Sequence, residues 1–241
     1  MKQIKFLAST VAASMFIFLS SCGSGDEKKT TETSTDTTSE RTAESSASAK
    51  PGNVMLVQHK VANFAKFKSV YEAHDSIRTA HGLKSYIIGR GLTDSNMVVV
   101  YLKMEDANKA KELSASADLK QRMQAAGVVG KPTFAFYDVV MNDDSPFEHT
   151  NRLLMTHKVK DWDSWKKEFD NHKQARIDAG LVDRGLSYNI GDNHTVSIVF
   201  AVSDMQKAKA FMQSKDLKDK MAKAGVEGQP TSFFYDIVHT Y

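Results

Sequence analysis

Residues 59–83 read HKVANFAKFKSVYEAHDSIRTAHGL, and residues 157–181 read HKVKDWDSWKKEFDNHKQARIDAGL. Both stretches open on a histidine, carry a second one fifteen residues on, and place an arginine four residues after that. Working outward, an offset of 98 residues aligns 53–140 with 151–238 without an insertion, and about thirty positions are identical. They include Gly82/Gly180, Asp118/Asp216, Pro132/Pro230, Phe136/Phe234 and Tyr137/Tyr235. Two copies are too few for a solenoid, which needs three or more units, so the chain is an internal duplication of one α+β unit.

Each copy predicts the same order of elements. Val54–Val61 is rich in Val, Met and Leu and reads as a strand. Asn63 or Asp161 then precedes an aromatic residue, where its side chain can accept from the free amides of a first helical turn. The pattern predicts one helix running to about His81, stopped by Gly82 or Gly180 in the left-handed backbone that ends helices. Two strands follow, joined around Thr93-Asp94-Ser95-Asn96, then two short helices. Ser116/Ser214 or the following Asp118/Asp216 are the candidate caps of the second. A last strand holds Pro132 or Pro230, expected at its first position or on an edge because proline lacks an amide donor. The order β-α-β-β-α-β is the ferredoxin-like pattern.

A sheet with helices on one side leaves its other face needing a cover, and the second copy supplies it. The HKV start, the aromatic first helix and the approach AGV-x-G-x-P at 126–132 and 224–230 resemble the dimeric α+β barrel superfamily, in particular its antibiotic biosynthesis monooxygenase-like domains. The resemblance covers 53–140 and 151–239 and implies an intramolecular dimer, a monomeric barrel. It also implies either oxygenation of an aromatic or polyketide-like substrate without a cofactor, or degradation of haem. The Asn, Trp and His combination of haem-degrading members has no position-by-position counterpart here, and Trp162 and Trp165 occur in one copy only.

On a helical wheel Phe64, Phe67, Tyr71, His74 and Arg78 fall in one stripe about 80° wide, repeated as Trp162, Trp165, Phe169, His172 and Arg176. Such a stripe reads as a core face, with the arginine stem along the rings. The alternative is a His/Arg anion site at His74, Arg78, His172 and Arg176. His59 belongs to the preceding strand, and the climb of the helix away from it predicts that the two histidines of a copy sit far apart. No histidine pair has the i, i+4 spacing of helical metal ligands, and no cysteine is near, so neither a metal site nor a cofactor is expected.

Strand period two sorts the faces. Met55, Val57 and Val61 match Leu153, Met155 and Val159 and are expected under the helices with His59 and His157. Leu56, Gln58 and Lys60 against Leu154, Thr156 and Lys158 are mixed, as a cavity lining would be. On the third strand Met97, Val99 and Tyr101 match Thr195, Ser197 and Val199, so the second copy's inward face is the more polar. The candidate ligand-binding residues are Gln58, Lys60, Tyr101, Thr156, Lys158 and Ser197, with Phe136 and Phe234 on the last strand, where the inward residue of each Phe-Tyr pair is undetermined.

The start, MKQIKFLASTVAASMFIFLSSCGSG, has two lysines, an apolar stretch of about fourteen residues and a small-residue site, the form of a secretory signal. Leu19-Ser20-Ser21-Cys22 resembles the lipobox of bacterial lipoproteins and implies cleavage before Cys22, the sole cysteine, and its acylation. Residues 1–21 are then the signal and 22–50 a Ser/Thr-rich tether. The tether holds no aromatic or large aliphatic residue and is expected to be disordered, spanning roughly 30 Å. Asp26-Glu27 and Asp36-Thr37-Thr38 are similar to the export and O-glycosylation signals of surface lipoproteins of the Bacteroidetes type. The repeats fill 51–145 and 146–241, and the expected location is the cell envelope, bilayer-anchored on the periplasmic side or the surface of an outer membrane.

Of 32 basic side chains the signal removes two, leaving 30 against 29 acids. A balance near +1 makes no electrostatic case for nucleic acid. Three functions follow: binding of a small, partly apolar ligand between the sheets, an enzyme of the kind the resemblance implies, or a spacer without a ligand.

Overall fold

The computed structural model describes residues 52–241. The signal, Cys22 and the tether lie outside the described residues, and no described helix is long and apolar enough to cross a membrane. The first repeat comprises β1 (Asn53–Val61), α1 (Phe64–Ala73), α2 (Asp75–Ala80), β2 (Leu83–Gly91), β3 (Met97–Met104), α3 (Ala107–Ala115), α4 (Ala117–Ala125) and β4 (Val128–Asn142). The second comprises β5 (Asn151–Val159), α5 (Trp162–Asn171), α6 (Lys173–Asp178), β6 (Leu181–Asn189), β7 (Asp192–Val202), α7 (Met205–Gln213), α8 (Lys215–Lys223) and β8 (Val226–Thr240).

Each repeat forms a ferredoxin-like sheet, and the two close on each other into one barrel, in the order β1-β3-β2-β8-β5-β7-β6-β4. The seams are the antiparallel pairs β2/β8 and β4/β6, so the edge amides and carbonyls of one repeat are satisfied by the other. All neighbours around the barrel are antiparallel, which places the starts of β1, β2, β5 and β6 at the same end as the finishes of β3, β4, β7 and β8. The pseudo-two-fold axis relating the repeats therefore runs along the barrel axis.

Local chemistry sets the boundaries as the sequence predicts at most positions. Asn63 and Asp161 cap their helices by accepting from Lys66 N and Ser164 N, and Ser116 and Ser214 accept from Leu119 N and Leu217 N. Each such cap stabilises its helix by about 1 kcal/mol. Gly82 and Gly180 end the helical runs at φ 68° and 72°.

Two expectations are corrected. The long first helix breaks at His74 and His172, whose non-helical backbone ends one helix and begins the next. Pro132 is neither first in its strand nor at a free edge. It lies inside β4 at the irregularity opposite Gln58 and Lys60, where the ladder skips a residue and the missing amide costs no bond.

Three apolar clusters hold the molecule together. Two lie between sheet and helices, built on Met55, Val57, Val98, Val100 and Phe67 in one repeat and on Leu153, Met155, Val196, Ile198 and Trp165 in the other. The third, Leu56, Val99, Tyr101, Tyr137, Leu154 and Tyr235, fills the middle of the barrel.

Candidate functional site

The repeated helix residues belong to the outer cores. In the first repeat His59 packs on Phe67 (ring centroids 4.9 Å apart), Phe67 on Tyr71 (5.7 Å), and the Arg78 guanidinium lies 3.7 Å over the Tyr71 ring. The expectation that the two histidines of a copy sit far apart, at opposite ends of the sheet, is corrected: His59 and His74 line the same small helix–sheet cavity of about 90 Å3, because the helix breaks at His74, although no hydrogen bond joins them. The second repeat has the same arrangement around a cavity of about 60 Å3.

Arg176 spends its donors inside the fold, whereas Arg78 leaves Nε buried without a partner. Arg176 is bidentate to Asp183 at 2.9 and 2.8 Å, donates to Phe169 O at 2.6 Å and lies 3.6 Å over the Phe169 ring. Arg78 donates to Tyr71 O at 2.6 Å and to Asp75 at 2.9 Å. His172 meets Asp216 at 2.9 Å. The pair Tyr71 and Ser85, which share a hydrogen bond at 2.7 Å, has become Phe169 and Asp183, so two positions in contact have changed together between the copies.

Inside the barrel lies a cavity of about 400 Å3, at the end where β1, β2, β5 and β6 begin. Its deep wall is the tyrosine group of the central cluster. Tyr235 donates to Tyr101 at 3.4 Å, and the Tyr137 hydroxyl is within hydrogen-bonding reach of Ser197 and Thr156. Burial pushes all three phenols up, Tyr235 to about 12, so each stays protonated as a neutral donor.

The cavity owes its room to the second repeat. Where the first places Tyr101, Val99 and Ile87, the second places Val199, Ser197 and Gly185, and this smaller set lines the open side. Where the first has Val54 and Tyr86, the second has Arg152 and Arg184, both buried, at the rim.

The segment 143–150, which joins the repeats, crosses this mouth. Arg184 donates to Asp143 at 3.0 Å and to Ser145 Oγ at 3.2 Å. Tyr86 donates to Asp144, and Lys103 lies 3.8 Å from the same carboxylate. Arg152 donates to the carbonyls of His149 and Asn151 at 2.7 and 3.0 Å. The Phe147 ring stands 5.7 Å from each guanidinium.

Of the residues named from sequence, Tyr101 and Ser197 line this cavity, and Thr156 lies beneath it against Tyr137. Gln58, Lys60 and Lys158 do not. They belong to the far end of their strands, and Lys60 is held at the surface by Asp94 at 2.8 Å. Phe136 and Phe234 pack in the outer cores, because the inward residue of each Phe-Tyr pair is the tyrosine. Sequence reasoning missed Arg152, Arg184 and Ser187. The first was one more step of period two back from Leu154, at a position where the copies differ in charge.

The cavity lining contains no histidine, cysteine or methionine, and the hydroxyls of its inner tyrosines are engaged with one another and with Ser197 and Thr156, so the residues present do not fit a haem iron. Among the described residues no group of three or more His, Cys, Asp or Glu is placed to hold a metal ion.

No protein-family model and no curated protein matches the sequence. Solved structures do match in fold. An anthrone oxidase-like protein superposes with a TM-score of 0.55 at 14% identity, covering 79% of this chain and 93% of that one. A candidate monooxygenase from Fusobacterium nucleatum subsp. nucleatum gives 0.52 at 12% identity, covering 78% and 92%. A candidate chlorite dismutase gives 0.51 at 14% identity, covering 78% and 95%. At these identities the likeness is one of architecture: the chain has the dimeric α+β barrel fold, made from two tandem ferredoxin-like repeats in a single polypeptide.

Proposed function

We propose that the protein binds a small, partly apolar molecule inside the barrel. The observation that carries this reading is the chamber of about 400 Å3, apolar in its depth and polar at its rim, closed below by the apolar cluster in the middle of the barrel. Pockets of this size, with few polar groups on apolar walls, are the usual form of a small-molecule site. A ligand that binds only the folded chain raises its melting temperature, so a thermal-shift screen of small aromatic and aliphatic compounds tests the reading. Saturable stabilisation supports it, and its absence across the screen favours the spacer.

The lipobox and tether support a location at the cell envelope, with the barrel carried on an acylated Cys22 and the bilayer as its partner. Cys22→Ser is expected to move the protein from the membrane fraction to the soluble one; retention in the membrane fraction would remove the anchor.

A second reading, cofactor-independent oxygenation, is favoured by the buried guanidinium of Arg152 at a chamber with aromatic walls, where it would stabilise a substrate phenolate or enolate. Oxygen uptake on adding an anthrone separates this reading from binding alone.

A further inference from the structure

The rim of the chamber carries more positive than negative charge. Lys103, Arg152 and Arg184 line it with two carboxylates, Asp143 and Asp144. Asp143 is engaged by Arg184, and Asp144 by Tyr86 and Lys103. Arg152 is only 8% exposed, donates to main-chain carbonyls and stands over the Phe147 ring; among the described residues no carboxylate forms a direct ion pair with it, Asp236 acting on it only from a longer distance. A buried cation without a direct ion pair is costly, so this guanidinium is a favourable place for an anion. Its position is a departure from the repeat, since the first copy holds Val54 there.

We infer that the ligand of this chamber is an organic monocarboxylate, its apolar body against the tyrosine wall and its carboxylate on Arg152 at the rim. The inference rests on the binding reading above. One cation without a direct ion pair suits one negative charge. A phosphate dianion would meet the repulsion of Asp143 and Asp144 with no second free cation to offset it. The guanidinium fork also matches a carboxylate's two oxygens, which fixes the direction in which the ligand enters. Arg184 stands in reserve, because its present partner Asp143 lies on the joining segment and occupies the place a second ligand oxygen would take.

The test uses the full chain and isothermal titration with two matched sets of probes: linear carboxylates from hexanoate to dodecanoate with the corresponding alcohols, and 2-naphthoate with 2-naphthalenemethanol. The best acid is expected to bind at least about tenfold more tightly than its alcohol, the range of a charge-assisted hydrogen bond. Arg152→Gln should erase that difference by weakening the acid and leave the alcohol within about twofold. Asp143→Asn should tighten the acid several-fold by freeing Arg184. An alcohol that binds as well as its acid, or a preference that survives Arg152→Gln, overturns the anion inference and leaves the binding reading standing. Binding by neither set overturns both. If Arg152→Gln does not fold, Asp143→Asn decides, and an unchanged acid affinity overturns the inference.

Discussion

The Tyr235 ring lies directly over Gly89, so close that a Cβ on that glycine would sit 2.2 Å from Tyr235 Cδ2. The ring cannot retreat. It is 1% exposed, stacked on Phe233 at 5.8 Å and bonded to Tyr101. The seam between β2 and β8 therefore depends on a residue with no side chain. Gly89→Ala is expected to lower the stability to urea by about 1–3 kcal/mol, the usual cost of overpacking. In the second repeat Ser187 occupies the matching position and lines the cavity, and Ser187→Ala should cost far less in the same measurement.

The arginine pair separates the two outer cores. Arg176 and Asp183 are a buried bidentate pair, with side chains 5% and 14% exposed, whereas Arg78 relies on Asp75, which is 63% exposed. Arg176→Met should destabilise by about 3–5 kcal/mol because it strands the Asp183 charge, and Arg78→Met by distinctly less. The combined change Tyr71→Phe with Ser85→Asp transplants the second repeat's arrangement. In a urea titration it is expected to make Arg78→Met nearly as costly as Arg176→Met.

Acid acts through two buried histidines. His59 and His157 are buried beneath the helices, their ring nitrogens have no hydrogen-bond partner, and burial lowers each to about 4 from 6.5. The unfolded chain takes up these protons first. The stabilisation is thus complete above pH 6.5 and is lost as pH falls from there towards 4, at about 1.4 kcal/mol per pH unit for each histidine. The charged groups near these rings are few: Arg78 and Arg122 line the first cavity with His74, and Glu168, Arg176, Lys220 and His172 line the second. His59→Leu with His157→Leu should flatten the stability profile between pH 5 and 6.5 without loss at pH 7, followed by chemical denaturation at each pH.

The chamber exists because Val199 stands where the first repeat has Tyr101. Val199→Tyr restores the symmetry and fills the space. It is expected to abolish ligand-induced thermal stabilisation while changing the unfolding midpoint of the free protein little, which separates loss of the site from loss of the fold.

Architecture was readable because it is written twice. Period-two alternation, the caps at Asn63, Asp161, Ser116 and Ser214 and the stops at Gly82 and Gly180 are local signals that tertiary packing did not override. The rim was not readable, since it forms where the start of β5, the bulged β6 and the joining segment meet, and no periodicity relates Arg152 to Asp143. The faces of the last strands were ambiguous for a similar reason. Phe and Tyr are both apolar enough for either side, and the choice is made by the hydroxyl, which finds a partner in the polar interior at Tyr235 and Tyr137.

The joining segment turns two like halves into one molecule with a direction. A barrel built from two identical subunits would present every interior residue twice, and an asymmetric guest could sit in either of two equivalent poses. Here the axis runs through the mouth, but Arg152 and Arg184 flank it on one side only, facing Val54 and Tyr86 on the other. An asymmetric guest in this chamber meets different walls in the two orientations that the axis relates, so the divergence of the halves leaves one preferred pose where a symmetric dimer of the same fold offers two.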